Sequence, residues 1–258
     1  AKLMATGRPL EEVVGGKLYC GIKTALTEAF IISQSTYELI VTENPSNRDI
    51  LKPILRGEDL RPWYQENEGR WLILFPSGWT NQTFGAGLNE ETAWAKIQTH
   101  YPAVANHLYP FADAARRRQD QGEYWWELRS CDYYPVFENT KIFWPDIAKF
   151  SRFSWDNSSW YVSDKGFMVA TQDPYILGIL QSRLTWLCIS QLCVPLGERA
   201  GVMRYQQKIQ FISRLPIPDA PVAEHDAIGA LALSITDLAR VRYTLHRQTQ
   251  HRILTDLG

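Results

Sequence analysis

After Pro216, Pro218 and Pro221 the chain runs into one long segment of helical spacing, from about Val222 onward. Ile228, Leu231, Ile235, Leu238, Arg242 and Leu245 recur there on one face and predict a stripe that packs on a partner element. The part before it alternates between two periods. Runs of β-branched and aromatic residues at 29–33, 37–41, 71–75, 141–145 and 161–171 read as strands. The first two, separated only by Gln34, Ser35 and Thr36, read as a hairpin, and Asp164, Lys165 and Gly166 predict a hairpin turn inside the last. The run 50–55 carries Pro53, whose missing N–H limits it to an edge. Helical spacing returns between Asn89 and Arg118. Asn89 is the expected N-cap, Pro102 divides the stretch into two pieces, and Arg116, Arg117 and Arg118 complement the helix dipole at its end. Asp173 and Pro174 supply the cap and first-turn proline of another helix, with Leu177, Leu180, Leu184 and Leu187 on one face. Together these predict an α+β fold, a twisted mixed or partly barrelled β-sheet with flanking helices and a long carboxyl-terminal helix.

A chain of 258 residues with 45% hydrophobic content can bury a sizeable core. No apolar run reaches the roughly 18 residues of a membrane span, and the amino end lacks a signal-peptide pattern, so a cytoplasmic protein without membrane partners is expected. Cys20, Cys131, Cys188 and Cys193 are scattered and are expected as reduced, mostly buried thiols. The chain opens on Ala1, and residues 1–14 are expected to be a helical linker from an upstream domain, followed by a main domain at 15–220 and a helical segment at 221–258. Twenty-seven basic residues against 28 acidic ones leave a net charge of −1, so any site for a polyanion has to be a local patch. Aromatic residues make up 12%, with 10 Trp and 12 Tyr, many beside polar neighbours. They are either core or an exposed platform for planar or sugar ligands, which keeps an aromatic-rich carbohydrate-binding or carbohydrate-cleaving protein as the alternative function.

Catalytic constellations are hard to find. The chain has no G-x-S-x-G elbow, P-loop or H-E-x-x-H, and Gly85-Ala86-Gly87 lacks the third glycine of a dinucleotide loop. His100, His107, His225, His246 and His251 have no zinc spacing. Pro145-Asp146 opens like a metal-dependent nuclease motif but is not followed by its acidic and Lys partners. Glu11 with Glu12 and Glu90 with Glu91 sit where solvation explains them.

Positive charge is concentrated locally. Arg183, Arg199, Arg204, Lys208 and Arg214 face Glu198 alone between 183 and 214. The centre, from Gly197 to Lys208, reads as a Gly-bearing loop that mixes guanidinium, phenol, amide and ammonium groups. Those groups bond base edges and phosphates: Arg forks onto guanine, Gln pairs with adenine, and Lys holds phosphate. Lys149-Phe150-Ser151-Arg152-Phe153-Ser154-Trp155 alternates cations with aromatics in a pattern suited to a nucleic-acid face and equally to a packed loop.

The order of several blocks is more specific than any one. Gly21-Ile22-Lys23-Thr24-Ala25-Leu26-Thr27-Glu28-Ala29-Phe30 is followed by Leu51-Lys52-Pro53-Ile54-Leu55-Arg56-Gly57, Tyr124-Trp125-Trp126-Glu127, Lys141-Ile142-Phe143-Trp144-Pro145-Asp146 and Ile212-Ser213-Arg214-Leu215-Pro216. Over roughly 15–220 this series resembles the TaqI-like target-recognition domains of adenine-specific DNA methyltransferases and type IIG restriction-modification enzymes, with Ala25 where the family usually carries Gly. The chain has no Asn-Pro-Pro-Tyr-type tetrapeptide and no glycine-rich cofactor loop. The resemblance therefore implies a recognition module that is not itself an enzyme and needs no cofactor. S-adenosylmethionine, and Mg²⁺ where a nuclease is fused, would belong to the parent protein. The implied partners are double-stranded DNA and the parent's methyltransferase domain. By the same analogy Arg199, Arg204, Tyr205 and Gln206 are expected to read bases, and Lys23, Lys149, Arg152 and Lys208 to contact phosphates.

Overall fold

A computed structural model describes residues 5–66 and 68–257; the opening of the expected linker, residues 1–4, lies outside the described residues. The chain divides into two compact units, one formed by Ala1–Gly21, Leu55–Asn67 and Val136–Gly258, the other by Ile22–Ile54 and Glu68–Pro135. The architecture is α+β with several small sheets and no closed barrel.

The first unit is organised by an antiparallel sheet in the order Leu18–Cys20, Gly166–Ala170, Lys141–Pro145, Ser154–Asp156. Lys141–Pro145 is buried along its whole length, and Trp144, Phe153, Phe167, Val169, Leu177 and Ile189 belong to the core around it. Within that apolar setting Lys141 and Asp156 face each other across the ladder as a fully buried ion pair at 2.6 Å, both 0% exposed. Burial is affordable because every partner is present. The ammonium also donates to the Phe137 and Asn139 carbonyls, at 2.6 and 3.0 Å, while the carboxylate accepts from Gln65 Nε2 and the Ser158 and Trp160 amides. Burial lowers the Lys141 pKa, and the charge of Asp156 acts against that. The turn at 163–166 is a β-turn closed by Gly166 N–H on Ser163 O, but it does not make the expected hairpin. Gly166–Ala170 has Leu18–Cys20 and Lys141–Pro145 as its two neighbours, so the chain leaves Tyr161–Val162 for another sheet at that turn. Gly21, which opens the first family-like block, lies so close to Ser163 that a Cβ would stand 2.0 Å from its carbonyl oxygen, so only glycine fits there.

The helix announced by Asp173 forms, with Asp173 accepting from Tyr175 N–H, but it stops at Leu180. Ser182 caps a second helix, Arg183–Leu192, and the break rotates Leu184 and Leu187 out to solvent instead of continuing one apolar face. The last helix spans Val222–Leu257, 36 residues, or about 54 Å at 1.5 Å per residue. Its packing face differs from the expected stripe. Leu231 and Leu238 are 62% and 68% exposed, whereas Ala232 and Thr236 are buried. The helix packs closely on Pro174–Leu180 through a different face: a Cβ on Gly178 would meet Ile228 at 2.7 Å and a Cβ on Gly229 would meet Pro174 at 3.1 Å, so Ile228, Gly229 and Ala232 face that helix while the leucines point away.

In the second unit Ile31–Ser33, Arg70–Ile73 and Leu51–Leu55 form antiparallel ladders, with Pro53 opposite Trp71. Leu51–Leu55 is an inner strand of its sheet, not an edge, and Leu55, which falls in the first unit, accepts at its carbonyl from Ser163 N–H at 2.8 Å. The expected hairpin after Ile31 is a helix, Gln34–Glu43: Ser33 caps it by accepting from Thr36 N–H at 3.2 Å, and Ile40 and Val41 are buried. A local cap and burial outweigh the modest β preference of the run 37–41. Asn89 caps Glu90–His100 as expected, but three helices follow it where two were expected, Glu90–His100, Pro102–Leu108 and Ala112–Arg117. Arg118, expected near a helix end as a complement to its dipole, does follow Ala112–Arg117 but is buried. Its guanidinium lies 4.2 Å over the Phe30 ring and donates to the carbonyls of Thr24, Trp125 and Glu127, and burial pushes its pKa down to about 10. Ala25 takes φ 54°, a left-handed conformation that glycine adopts more readily.

Cys188 and Cys193 are buried, Cys20 and Cys131 half-buried, and all four are free thiols. No helix among the described residues is long and apolar enough to cross a membrane.

Candidate nucleic-acid interface

The segment expected as a loop from Gly197 to Lys208 is mostly a β-hairpin, Val194–Arg199 with Val202–Gln206. Its turn is Ala200-Gly201, with φ 52° and 70°; positive φ at both central residues matches the right-handed twist of two paired strands. The register shifts between Pro195 and Glu198, where Gly197 has φ 78°, so the first strand bulges there. A third short strand, Ile147–Ala148, pairs with the second: Tyr205 lies opposite Ala148 and Gln206 opposite Ile147. This pairing sets the chain after Ala148 beside the hairpin.

Four of the eight expected DNA-contacting residues meet there. Lys149, Arg152, Arg199 and Arg204, with Ile147 and Phe150, line a concavity of about 440 Å³ that has no carboxylate among its lining residues. Four like charges facing one hollow repel each other and attract a polyanion. The donors differ in how they are held. Lys149 donates to the main-chain carbonyl of Arg199. Arg204 reaches back over the bulge to the carbonyls of Leu196 at 3.0 Å and Gly197 at 3.5 Å. Arg152 donates to Leu60 O at 2.6 Å and Glu58 O at 2.9 Å; burial first, and then the charge of Arg61, pull its pKa below the ordinary value. Arg199 is exposed at the end of its strand.

The other four lie apart from that hollow's lining. Tyr205 is half-buried and packs edge-on against Trp186, ring centres 5.7 Å apart, and Gln206 is half-buried beside it. Lys208 pairs with Asp146 at 3.2 Å and precedes the helix Ile209–Ile212. Lys23 belongs to the other unit, where it pairs with Asp120 at 2.6 Å and depresses that carboxyl's pKa by hydrogen bonding. From the sequence alone Phe150 reads only as part of a cationic run and Arg242 only as part of a packing stripe. Among the described residues no group of three or more His, Cys, Asp or Glu side chains is placed to hold a metal ion.

The aromatic surplus resolves mainly into core. Trp125, Trp126, Trp144 and Trp155 are buried, and among the described residues Tyr109 and Phe150 are the aromatic side chains more than half exposed, at 64% and 52%.

No protein-family model matches the chain, and no curated protein does either. Solved structures do. The type IIL restriction-modification enzyme MmeI, solved in complex with DNA, matches 88% of this chain with TM-score 0.57 and 15% identity. The type IIG restriction endonuclease BpuSI matches 89% with TM-score 0.51 and 15% identity. The fold is one that restriction-modification enzymes contain. The chain spans 28% and 26% of the length of those two enzymes.

Proposed function

We propose that this chain is the double-stranded DNA target-recognition module of a restriction-modification enzyme, of the TaqI-like kind, choosing where an N6-adenine methyltransferase outside this chain acts. The observation that carries this reading is the cation-lined hollow beside the hairpin, where Lys149, Arg152, Arg199 and Arg204 converge with no carboxylate among the lining residues. The likeness to MmeI, whose structure contains DNA, supports it at the level of fold. An enzyme that modifies a base has to extrude it from the stack, and a separate module gripping the duplex supplies sequence choice and purchase for that step. Such a module works with a few base-reading side chains and several phosphate contacts, so a net charge of −1 is compatible with the role when charge is gathered locally.

In this reading Arg199 is the foremost base reader because it is exposed on the hollow, while Lys149 and Arg152 hold phosphate. S-adenosylmethionine, and Mg²⁺ for a fused nuclease, belong to the parent enzyme. The test is binding of the chain to duplex DNA as salt is raised. Affinity should fall steeply, with log K linear in log salt and a slope of about −0.9 per phosphate neutralised. Binding that ignores salt, or no binding, counts against the reading. Sequencing modified adenines in DNA from cells carrying the parent gene then identifies the site.

A further inference from the structure

Phe150 lines two hollows of the first unit. One is the cationic concavity already described; the other, about 540 Å³, is lined by Phe150 with Arg61, Trp63, Tyr64, Leu238 and Arg242 among others. Phe150 is 52% exposed while, apart from Tyr109, the described aromatic side chains are buried or half-buried, which leaves this ring open to a planar ligand among the cations.

The chain on either side of the ring is tied down. Upstream, Ala148 is buried and paired with Tyr205, and Lys149 is tied to the Arg199 carbonyl. Downstream, Arg152 is tied to Leu60 and Glu58, and Phe153 is fully buried with its carbonyl accepting Trp63 N–H at 2.8 Å. Trp63 itself has φ 78°, a strained conformation for a bulky side chain, kept in place by bonds at both its N–H and its carbonyl. An apolar ring thus stands between two hollows, one lined by Arg152, Arg199 and Arg204 and the other by Arg242 and by Arg61, whose guanidinium pairs with Glu66 at 2.8 Å. A ligand that matches presents phosphates around stacked planar faces.

We propose that Phe150 is a wedge that inserts at a base step of the bound duplex, partly unstacking it, and so makes recognition depend on how easily that step opens. The proposal rests on the DNA reading above. A wedge of this kind selects flexible pyrimidine–purine steps without hydrogen-bonding any base.

The experiment uses the full chain and duplexes enriched by it from a randomised pool, with 2-aminopurine replacing adenine at successive positions. Its fluorescence should rise at one step when the chain binds. Phe150→Ala should abolish the rise and weaken binding about tenfold, while Phe150→Trp keeps both. A bound wild-type chain with no rise at any position, or a Phe150→Ala chain that keeps the affinity and the signal, overturns the wedge and leaves DNA binding standing. A wild-type chain that enriches no duplex overturns the DNA reading and the wedge together.

Discussion

Lys149 donates its ammonium to the main-chain carbonyl of Arg199, tying the segment after Ile147–Ala148 to the turn end of the hairpin. The exposed guanidinium of Arg199 is thereby presented from a braced strand end, and the charge of Lys149 stays within the same hollow. If Arg199 reads a base, Arg199→Ala should cost about 1–3 kcal/mol at one position of the recognised site. Lys149→Met should weaken binding to all duplexes alike and reduce the salt slope by about one. Competition with single-substituted duplexes separates the two patterns; an equal loss over all sequences for Arg199→Ala would make Arg199 a phosphate contact.

Ala25 and Ala200 both hold left-handed backbone, at φ 54° and 52°. Glycine takes that conformation freely, while an L side chain pays for it, so Ala25→Gly should stabilise the chain by roughly 0.5–1 kcal/mol after the entropy lost by glycine is counted. The expected observation is a higher denaturant midpoint with an unchanged slope. An unchanged or lower midpoint would mean that the turn carries no such strain.

The Lys141–Asp156 pair is fully buried and fully bonded. Lys141→Met should therefore destabilise by about 3–5 kcal/mol, because it strands a buried carboxylate. Replacing Asp156 as well should not restore stability, since Gln65 Nε2 and the Ser158 and Trp160 amides would lose their acceptor. A double-mutant cycle by chemical denaturation measures this, and a double variant as stable as wild type would refute it.

His225 joins the start of the final helix to the cap of Pro174–Leu180, its Nε2 lying 3.0 Å from Asp173 and its ring stacked on Tyr175. Burial pulls its pKa down, but the hydrogen bond and charge of Asp173, helped by Asp226, hold it above the ordinary value of 6.5. A histidine raised in the folded state contributes stability that is complete below its unfolded pKa and is lost as pH rises through its folded pKa. The difference in melting temperature between wild type and His225→Gln should therefore shrink as pH climbs through and above 6.5. A difference constant from acid to alkaline pH would show that protonation plays no part.

Some of this molecule was legible in its residues. Asn89, Asp173 and Pro221 mark helix starts because a cap or a proline acts within about three residues of itself, and the folded chain obeys each. The strand Lys141–Pro145 and the local excess of Arg and Lys after Arg183 were equally readable. Others were misleading for one reason. The run 37–41 and the leucines of the last helix show this: side-chain character alone does not register the burial of Ile40 and Val41 or the packing of the final helix, although the Ser33 cap itself is local.

By itself the sequence determined the α+β character, the element starts set by short-range caps and turns, and a supply of cations and aromatics for a polyanion site. Only the tertiary structure decided that the final helix buries Ala232 and Thr236 and leaves Leu231 and Leu238 outside, because its close approach to Pro174–Leu180 runs through Ile228 against Gly178 and Gly229 against Pro174. It alone decided which cations converge. Lys149 and Arg199 stand 50 positions apart, and a ladder between Ile147–Ala148 and Val202–Gln206 brings them to one hollow through hydrogen bonds that no local pattern encodes.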